Sequence, residues 1–325
     1  MPHVSIVIPA YNAAGSLAAT VASAQAQSLQ DIEILIVDDA SGDATLDLAR
    51  RLAAGDPRIR VIEAGHNRGP AGARNLGFAA ARGDWIALLD ADDAFEPERL
   101  ARLVAAAQEN GADLLADNLL LEDEDGRIEP MLAPVETVES EAVTAAGFLL
   151  GNLPDPARPR RSYGFLKPIF RREFLAVHGL RYDEELRFAE DFAFYLDCLG
   201  AGARFVLLRQ PLYRYRLRSD SLTARHSIED LRRLQRVDGR LLQRAGAAAT
   251  PAFRAALKRH KRSVDQRLQW RVVIAAVKRR DWPGALAAGL QSPHVFTYVA
   301  AQLAAESWRR FGPGRSRGRA STAET

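Results

Sequence analysis

The sequence predicts an α/β protein built on a doubly wound sheet, and three features carry that expectation. Short β-branched runs alternate with helical stretches over the first hundred residues, one run ends in three carboxylates, and the last third turns helical and basic. Val4-Ser5-Ile6-Val7-Ile8-Pro9 reads as the first strand, and Ser16 to Gln27 as the helix after it. Ile32-Glu33-Ile34-Leu35-Ile36-Val37 is the second strand, running into Asp38-Asp39-Ala40-Ser41, with a helix over Ala44 to Ala54. Arg58 to Ile62 is a weaker third strand and Trp85 to Leu89 a fourth. A β-α-β-α-β-α-β order argues for parallel strands with helices on both faces. Ligands of such sheets sit outside the carboxyl ends of the strands. Pro9 to Asn12, Asp38 to Ser41, His66 to Gly69 and Asp90 to Asp93 all fall at that edge.

The fourth strand ends in Asp90-Ala91-Asp92-Asp93. Three acids this close repel one another unless a cation or a set of donors neutralises them, which points to a divalent metal and a phosphate-bearing ligand. The competing reading is an Asp-rich turn that caps the next helix.

Four segments then carry a resemblance. Val4 to Asn12, Ile36-Val37-Asp38-Asp39-Ala40-Ser41-Gly42-Asp43-Ala44-Thr45, Gly69-Pro70-Ala71-Gly72-Ala73-Arg74-Asn75-Leu76-Gly77, and Gly83 to Asp93 resemble family 2 glycosyltransferases, in order and at the expected spacing. The resemblance covers roughly the first 225 residues. It implies the GT-A fold, a doubly wound mixed sheet that binds nucleotide-diphosphate sugars, and inverting transfer. On this reading residues 1–225 form the catalytic domain, with 1–118 the donor-nucleotide half and 119–225 the acceptor half. Residues 226–311 form a basic helical extension and 312–325 a disordered tail rich in Gly, Arg and Ser.

Candidate residues follow from chemistry and from the resemblance. Pro9 and Tyr11 leave strand one where a nucleobase could lie, and Tyr11 offers a stacking face and a hydroxyl; an ordinary half-buried aromatic is the plainer reading. Asp39 can accept from a base imide, as the resemblance implies for its uracil-binding counterpart, and the other member of the Asp38-Asp39 pair caps the helix before Ala44. Arg74, in a Gly-rich loop, can pair with diphosphate oxygens. Asp92 is the expected ligand of Mg²⁺ or Mn²⁺, Asp90 binds ribose or a metal-bound water, and Asp93 caps the helix opened by Pro97-Glu98-Arg99-Leu100.

Downstream, Arg187-Phe188-Ala189-Glu190-Asp191-Phe192 matches the Glu-Asp motif of the same family, in which the Asp is the general base. Inverting transfer needs one, because the acceptor hydroxyl loses its proton as it attacks the anomeric carbon. The structural alternative is a pair of acids in the first turn of a helix. Lys167 and Glu190 are candidates on the acceptor side, with a solvated lysine as the alternative for Lys167. Pro211 to Thr223 resembles a family segment that often carries His where this chain has Arg218. Arginine does not ligate metal, so Arg218 is assigned to the diphosphate, with Ser221 beside it a further acceptor-side candidate.

Composition sets limits. One cysteine, Cys198, excludes an intramolecular disulfide and any Cys-rich metal site. The Met1-Pro2-His3 start reads as no signal peptide and no run approaches a membrane span, so a cytoplasmic location is expected, at the inner face of the membrane if the acceptor is lipid-linked. From Met1 to Tyr213 there are 20 Lys/Arg against 33 Asp/Glu, and from Arg214 to Arg280 there are 19 against 5. The basic part suits anions, and its helices, with Trp270, Trp282, Phe296, Tyr298 and Trp308, are candidates for peripheral membrane contact; solvated basic faces are the bland alternative. Nucleic acid is not expected, since no aromatic stacking platform interleaves the basic residues.

Helices are expected over Ile228 to Ala245, Pro251 to Arg279, and Trp282 to Arg310 with a break near Pro293. Leu121 to Thr137 reads as a hairpin or exposed loop, and Leu153 to Arg161 as a loop near the acceptor opening. Gln266-Arg267-Leu268-Gln269-Trp270 resembles the Gln-x-x-Arg-Trp segment of processive synthases only superficially, since Gln269 stands at the Arg position. The expected function is transfer of a sugar, from a UDP-sugar by preference, to a glycan or lipid-linked glycan in surface or exopolysaccharide synthesis. The alternatives are a sugar nucleotidyltransferase, against which the lack of a Gly-rich basic loop at Pro9 to Gly15 speaks, and a non-catalytic nucleotide-sugar-binding scaffold.

Overall fold

The computed structural model describes residues 2–133, 139–155, 162–217, 227–244 and 250–311. β1 (Val4–Ala10), α1 (Leu17–Gln25), β2 (Ile32–Asp38), α2 (Thr45–Gly55), β3 (Ile59–Glu63), α3 (Gly69–Ala80) and β4 (Trp85–Leu88) follow the alternating order read from the sequence. All seven residues of β2 are buried, as a strand covered on both faces requires. After β4 come β5 (Ala94–Phe95), α4 (Arg99–Asn110), β6 (Leu114–Glu122), β7 (Ile128–Pro130), β8 (Ser140–Ala142), α5 (Ala145–Gly151), β9 (Ile169–Arg171), α6 (Arg172–Val177), α7 (Glu190–Gly200) and β10 (Phe205–Arg216). β6 and β7 form the hairpin expected after Leu121, closed by a turn through Gly126.

The strands make one sheet in the order β3-β2-β1-β4-β9-β6-β10-β5, with β7 on β6 and β8 on β10. β1 pairs in parallel with β2 and β4, and β2 with β3. The sheet is mixed because β9 runs antiparallel to both neighbours, β4 and β6, while β6 and β10 are again parallel. β9 thereby joins the two halves and brings the segment before it, with Lys167, toward the carboxyl end of β4.

A buried ion pair braces this junction. Arg99, at the start of α4, donates from Nε and Nη2 to Asp117 of β6 at 3.0 and 2.7 Å, and from Nη2 to the Lys167 carbonyl at 2.5 Å. Its guanidinium lies over the Phe95 and Tyr213 rings, 4.4 and 5.1 Å from their centroids. Burial pushes the Asp117 carboxyl up against the pull of Arg99. Removing one partner strands the other charge, so Arg99→Ala is expected to cost about 3–5 kcal/mol in urea unfolding. A loss under about 1 kcal/mol would show that Asp117 finds other compensation.

The chain divides into two compact units, residues 1–260 and 261–325. The first extends through α8 (Ile228–Arg244) and the start of α9 (Pro251–Lys278), where His260 Nδ1 meets Asp238 at 3.0 Å and its ring stacks on Phe192 at 4.7 Å. The second holds the rest of α9, α10 (Trp282–Gly289) and α11 (Pro293–Phe311), so the helix break expected near Pro293 is present. Its small core is Val273, Ala288, Val295 and Val299, with Trp270 packed against it. Gln266 donates to the His294 carbonyl at 2.9 Å, a structural contact within this unit. No helix among the described residues is long and apolar enough to cross a membrane. The expected tail, 312–325, lies outside the described residues, as do 156–161 of the loop expected over Leu153 to Arg161.

Candidate active site

The loops after β1 and β2 are stitched together at the carboxyl edge of the sheet. Asn12, at φ 49°, accepts through Oδ1 from the Gly42 amide at 2.8 Å, while its own amide donates to Ser41 Oγ at 3.0 Å. Pro9 sits in β1 beyond Val7, the last residue of the register with β4, so its missing amide falls where the strand has only β2 beside it. Tyr11 follows and is 54% exposed, not the half-buried aromatic of the plainer reading. Its face is open to a ligand.

Asp39 is buried and accepts from the backbone amides of Arg68 and Gly69 at 2.7 and 2.8 Å, through one oxygen each. It thus caps α3 from a neighbouring strand, with Gly69 at φ 74° allowing the sharp entry. Burial raises its carboxyl above the ordinary value despite these two donors. Each oxygen keeps a second lone pair for a ligand donor. The expected division of labour between Asp38 and Asp39 does not hold at α2. Asp38 accepts from the Ser41 amide, and the start of α2 is served instead by Asp43, which accepts from the Thr45 amide at 2.9 Å.

Arg74 lies inside helix α3, not in the Gly-rich loop expected from its neighbours. The glycines there serve close packing, since a Cβ on Gly77 would lie 2.2 Å from Val7 Cγ1. That approach sets α3 on the sheet and drives Arg74 into the interior, where it is 4% exposed. Its Nη1 donates to Glu190 at 2.8 Å and its Nη2 to Asp90 at 3.0 Å, and Nη1 lies 3.4 Å from Asp191. With its terminal nitrogens on carboxylates, Arg74 anchors acids as found, where a diphosphate contact was expected.

Lys167 completes the cluster. It is buried, which removes the solvated-lysine reading, and its Nζ sits 2.9 Å from Asp90 Oδ2 and 3.0 Å from Asp191 Oδ2. Tyr182, which carries no local sequence signal, donates its hydroxyl to Asp191 Oδ1 at 2.9 Å. Its ring stacks on Phe194 at 4.2 Å and lies under the Arg74 guanidinium at 5.4 Å. Three acids from two elements are thus held by two cations and a phenol. Against the penalty of burial, Lys167 and Arg74 hold the Asp90 carboxyl well below the usual carboxylate range. Burial, with Asp191 adjacent, pushes Glu190 up in spite of Arg74. Burial opposes the charge on Lys167 and Arg74, yet Asp191 and Asp90 raise both well above their ordinary values.

Glu190 and Asp191 do open α7, as first-turn acids. The helix starts from Ala189 in the left-handed region, at φ 58°, with no side-chain cap. A non-glycine residue there stores roughly 1–2 kcal/mol of backbone strain, offset by the ion-pair cluster it serves.

The three acids after β4 have unequal surroundings. Asp93 does not cap α4, whose N-cap residue is Glu98. It is buried and accepts from Tyr213 Oη at 2.7 Å and the Arg216 amide at 2.9 Å. Burial and the nearby Asp90 and Asp92 push its carboxyl well up. Asp92 is partly exposed, as is Asp90. Two cations against Asp90, Glu190 and Asp191 leave an excess of negative charge, which Asp92 increases. Among the described residues no group of three or more His, Cys, Asp or Glu side chains forms a ready metal cage. A Mg²⁺ or Mn²⁺ ion at this edge would need few protein carboxylates, Asp92 being the candidate, with ligand oxygens and water supplying the rest. Arg218 and Ser221 lie outside the described residues.

A cavity of about 590 Å³ lined by Arg181, Tyr182, Asp183, Ala193, Asp197 and Arg240 shares only Tyr182 with this cluster. Its walls hold none of the four acids Asp39, Asp90, Asp92 and Asp191.

Comparison with known proteins places this geometry. The sequence model of Glycosyl transferase family 2 matches residues 5–158. The succinoglycan biosynthesis protein ExoO of Rhizobium meliloti (strain 1021) is 34% identical over 305 residues, covering 94% of this chain and 86% of the relative. ExoU of the same organism is 35% identical over 319 residues, covering 96% and 90%. Among solved structures, S. aureus TarS 1-349 in complex with UDP-GlcNAc superposes with a TM-score of 0.61 at 18% identity, covering 95% of this chain and 92% of that one. Mannosyltransferase PcManGT from Pyrobaculum calidifontis, in complex with GDP-Man and Mn²⁺, gives 0.57 at 19% identity, covering 95% and 88%. With the mixed sheet and the Asp-rich edge already described, these likenesses identify the chain as a member of glycosyltransferase family 2, a sugar-transferring enzyme with the GT-A fold.

Proposed function

We propose that the protein is an inverting, metal-dependent transferase that moves one sugar from a nucleotide-diphosphate donor, UDP-linked by preference, to a glycan or lipid-linked glycan in surface or exopolysaccharide synthesis, acting in the cytoplasm or at the inner face of the membrane. The observation that carries it is the five-residue cluster of Arg74, Asp90, Lys167, Glu190 and Asp191, which ties the end of β4 to the start of α7. Support for the donor class comes from solved neighbours that hold UDP-GlcNAc, UDP and GDP-Man. Support for the pathway comes from the names of ExoO and ExoU as succinoglycan biosynthesis proteins. The nucleotidyltransferase reading has no comparable support.

In this reading the base lies on Tyr11 and gives its imide hydrogen to Asp39, and the diphosphate points toward Asp92. A Mg²⁺ or Mn²⁺ on Asp92 offsets the charge of the leaving diphosphate when bound. Asp90, fixed by Arg74 and Lys167, meets the ribose side. Asp191 takes the proton of the acceptor hydroxyl as that oxygen bonds to the anomeric carbon from the face opposite the diphosphate. The carbon–oxygen bond to the donor breaks, its electron pair leaves with the nucleoside diphosphate, and the configuration inverts. Lys167 and Tyr182 hold one Asp191 oxygen each and so aim the free lone pairs. Arg218 remains proposed for the diphosphate and Ser221 for the acceptor side.

Calorimetry with UDP and Mn²⁺ tests the donor site. Tyr11→Ala is expected to weaken UDP by roughly 10- to 100-fold, the worth of one base–aromatic stack. Equal affinity in the two proteins would move the base elsewhere.

A further inference from the structure

The second unit carries a surface that the transfer chemistry leaves unexplained. Trp282, Leu286 and Leu290 recur every four residues along α10 and its C-cap, so they share one face, and they are 64%, 63% and 55% exposed. Ala288, across the helix from that stripe, is buried, and so is Gly289, where an added Cβ would come within ordinary contact distance of Val273 and Val299. The outward stripe is therefore not a misplaced core.

Beside it stand Val277, Lys278, Arg279 and Arg280, all exposed. None of the three cations forms an ion pair among the described residues. The one adjacent acid, Asp281, is committed to capping α10, accepting from the Gly284 amide at 2.9 Å. Over residues 261–325 the sequence has 12 Lys/Arg against 4 Asp/Glu, while residues 1–260 have 32 against 37. An apolar stripe with a tryptophan at one end and unpaired cations beside it matches the boundary of an anionic bilayer, where indole sits at headgroup level and cations meet phosphates. A second copy of this chain fits poorly, since it would bring two strongly basic surfaces together.

We infer that the α9–α10 corner, Lys278 to Leu290, docks on an anionic phospholipid surface. The inference stands on the second unit alone and is independent of the site chemistry. Single insertions of this kind are weak, so docking is reversible and depends on salt.

The test is flotation of the full chain with vesicles of phosphatidylcholine, with and without phosphatidylglycerol. The protein is expected to float with the anionic vesicles, to float poorly with phosphatidylcholine alone, and to be released by about 0.5 M salt. The triple variant Lys278→Glu, Arg279→Glu, Arg280→Glu and the double variant Trp282→Ala, Leu286→Ser are each expected to lower the partition coefficient by about tenfold or more. Circular dichroism checks that both variants stay folded. Failure of the wild type to float with anionic vesicles overturns the inference, as does undiminished flotation of both folded variants. A concentration-dependent dimer in sedimentation, lost with Trp282→Ala while flotation persists, also overturns it, in favour of a second copy as the occupant.

Discussion

Asp191→Asn is expected to lower turnover by about 10²–10⁴-fold while donor affinity stays within about twofold of wild type. The amide keeps the shape of the carboxylate and can still meet the Tyr182 hydroxyl, which lies 2.9 Å from Oδ1. It cannot take a proton from an acceptor hydroxyl. The split between kcat and donor Kd separates a base from a residue that merely holds α7 in place, because loosening α7 would also release Arg74 and Asp90 through Glu190 and Lys167. Unchanged turnover would remove Asp191 from the chemistry and leave it as an ion-pair partner.

Asp92→Ala is expected to reduce metal-stimulated turnover by about 10²–10³-fold, corresponding to several kcal/mol of leaving-group stabilisation. Asp90 is held by Arg74 and Lys167, and Asp93 by Tyr213 and the Arg216 amide. Substituting Asp92 leaves those pairs in place, and thermal stability is expected to stay within about 1 kcal/mol of wild type. The same change at Asp90 would unpair Arg74 and Lys167 and confuse folding with catalysis. Full activity of Asp92→Ala at saturating Mn²⁺ would move the metal to another residue or out of the reaction.

The first half of the fold was legible because its strands are continuous β-branched runs separated by helices, a pattern carried by local sequence. β1 to β4 lie within a residue or so of the runs that announce them. β9 was not legible. It is three residues long and gains its place only from β4 and β6, strands more than fifty residues earlier in the chain. The mixed character of the sheet depends on that insertion.

The site shows the same division. The acids were visible as types, but their roles depend on partners remote in sequence. Asp93 reads as a helix cap locally and is instead bound by Tyr213 and Arg216, 120 and 123 residues on in the chain. Arg74 reads as a loop residue because glycines surround it, whereas Gly77 is small to admit Val7. Lys167 and Tyr182 carry no local signal, and their meaning comes from Asp191. Motif spacing named Asp92 and Asp191, and the network that joins Asp191 to Asp90 through Lys167 and Arg74 belongs to the tertiary structure.

The central claim is metal-dependent use of a nucleotide-sugar donor at the Asp92 edge of the sheet. A panel of nucleotide sugars incubated with the purified chain, with and without Mn²⁺ and scored by release of nucleoside diphosphate, tests it most directly. The account predicts release from one donor class, dependent on the metal and lost in Asp92→Ala. Release that is indifferent to metal and to Asp92, or no release from any donor by the folded protein, would contradict it.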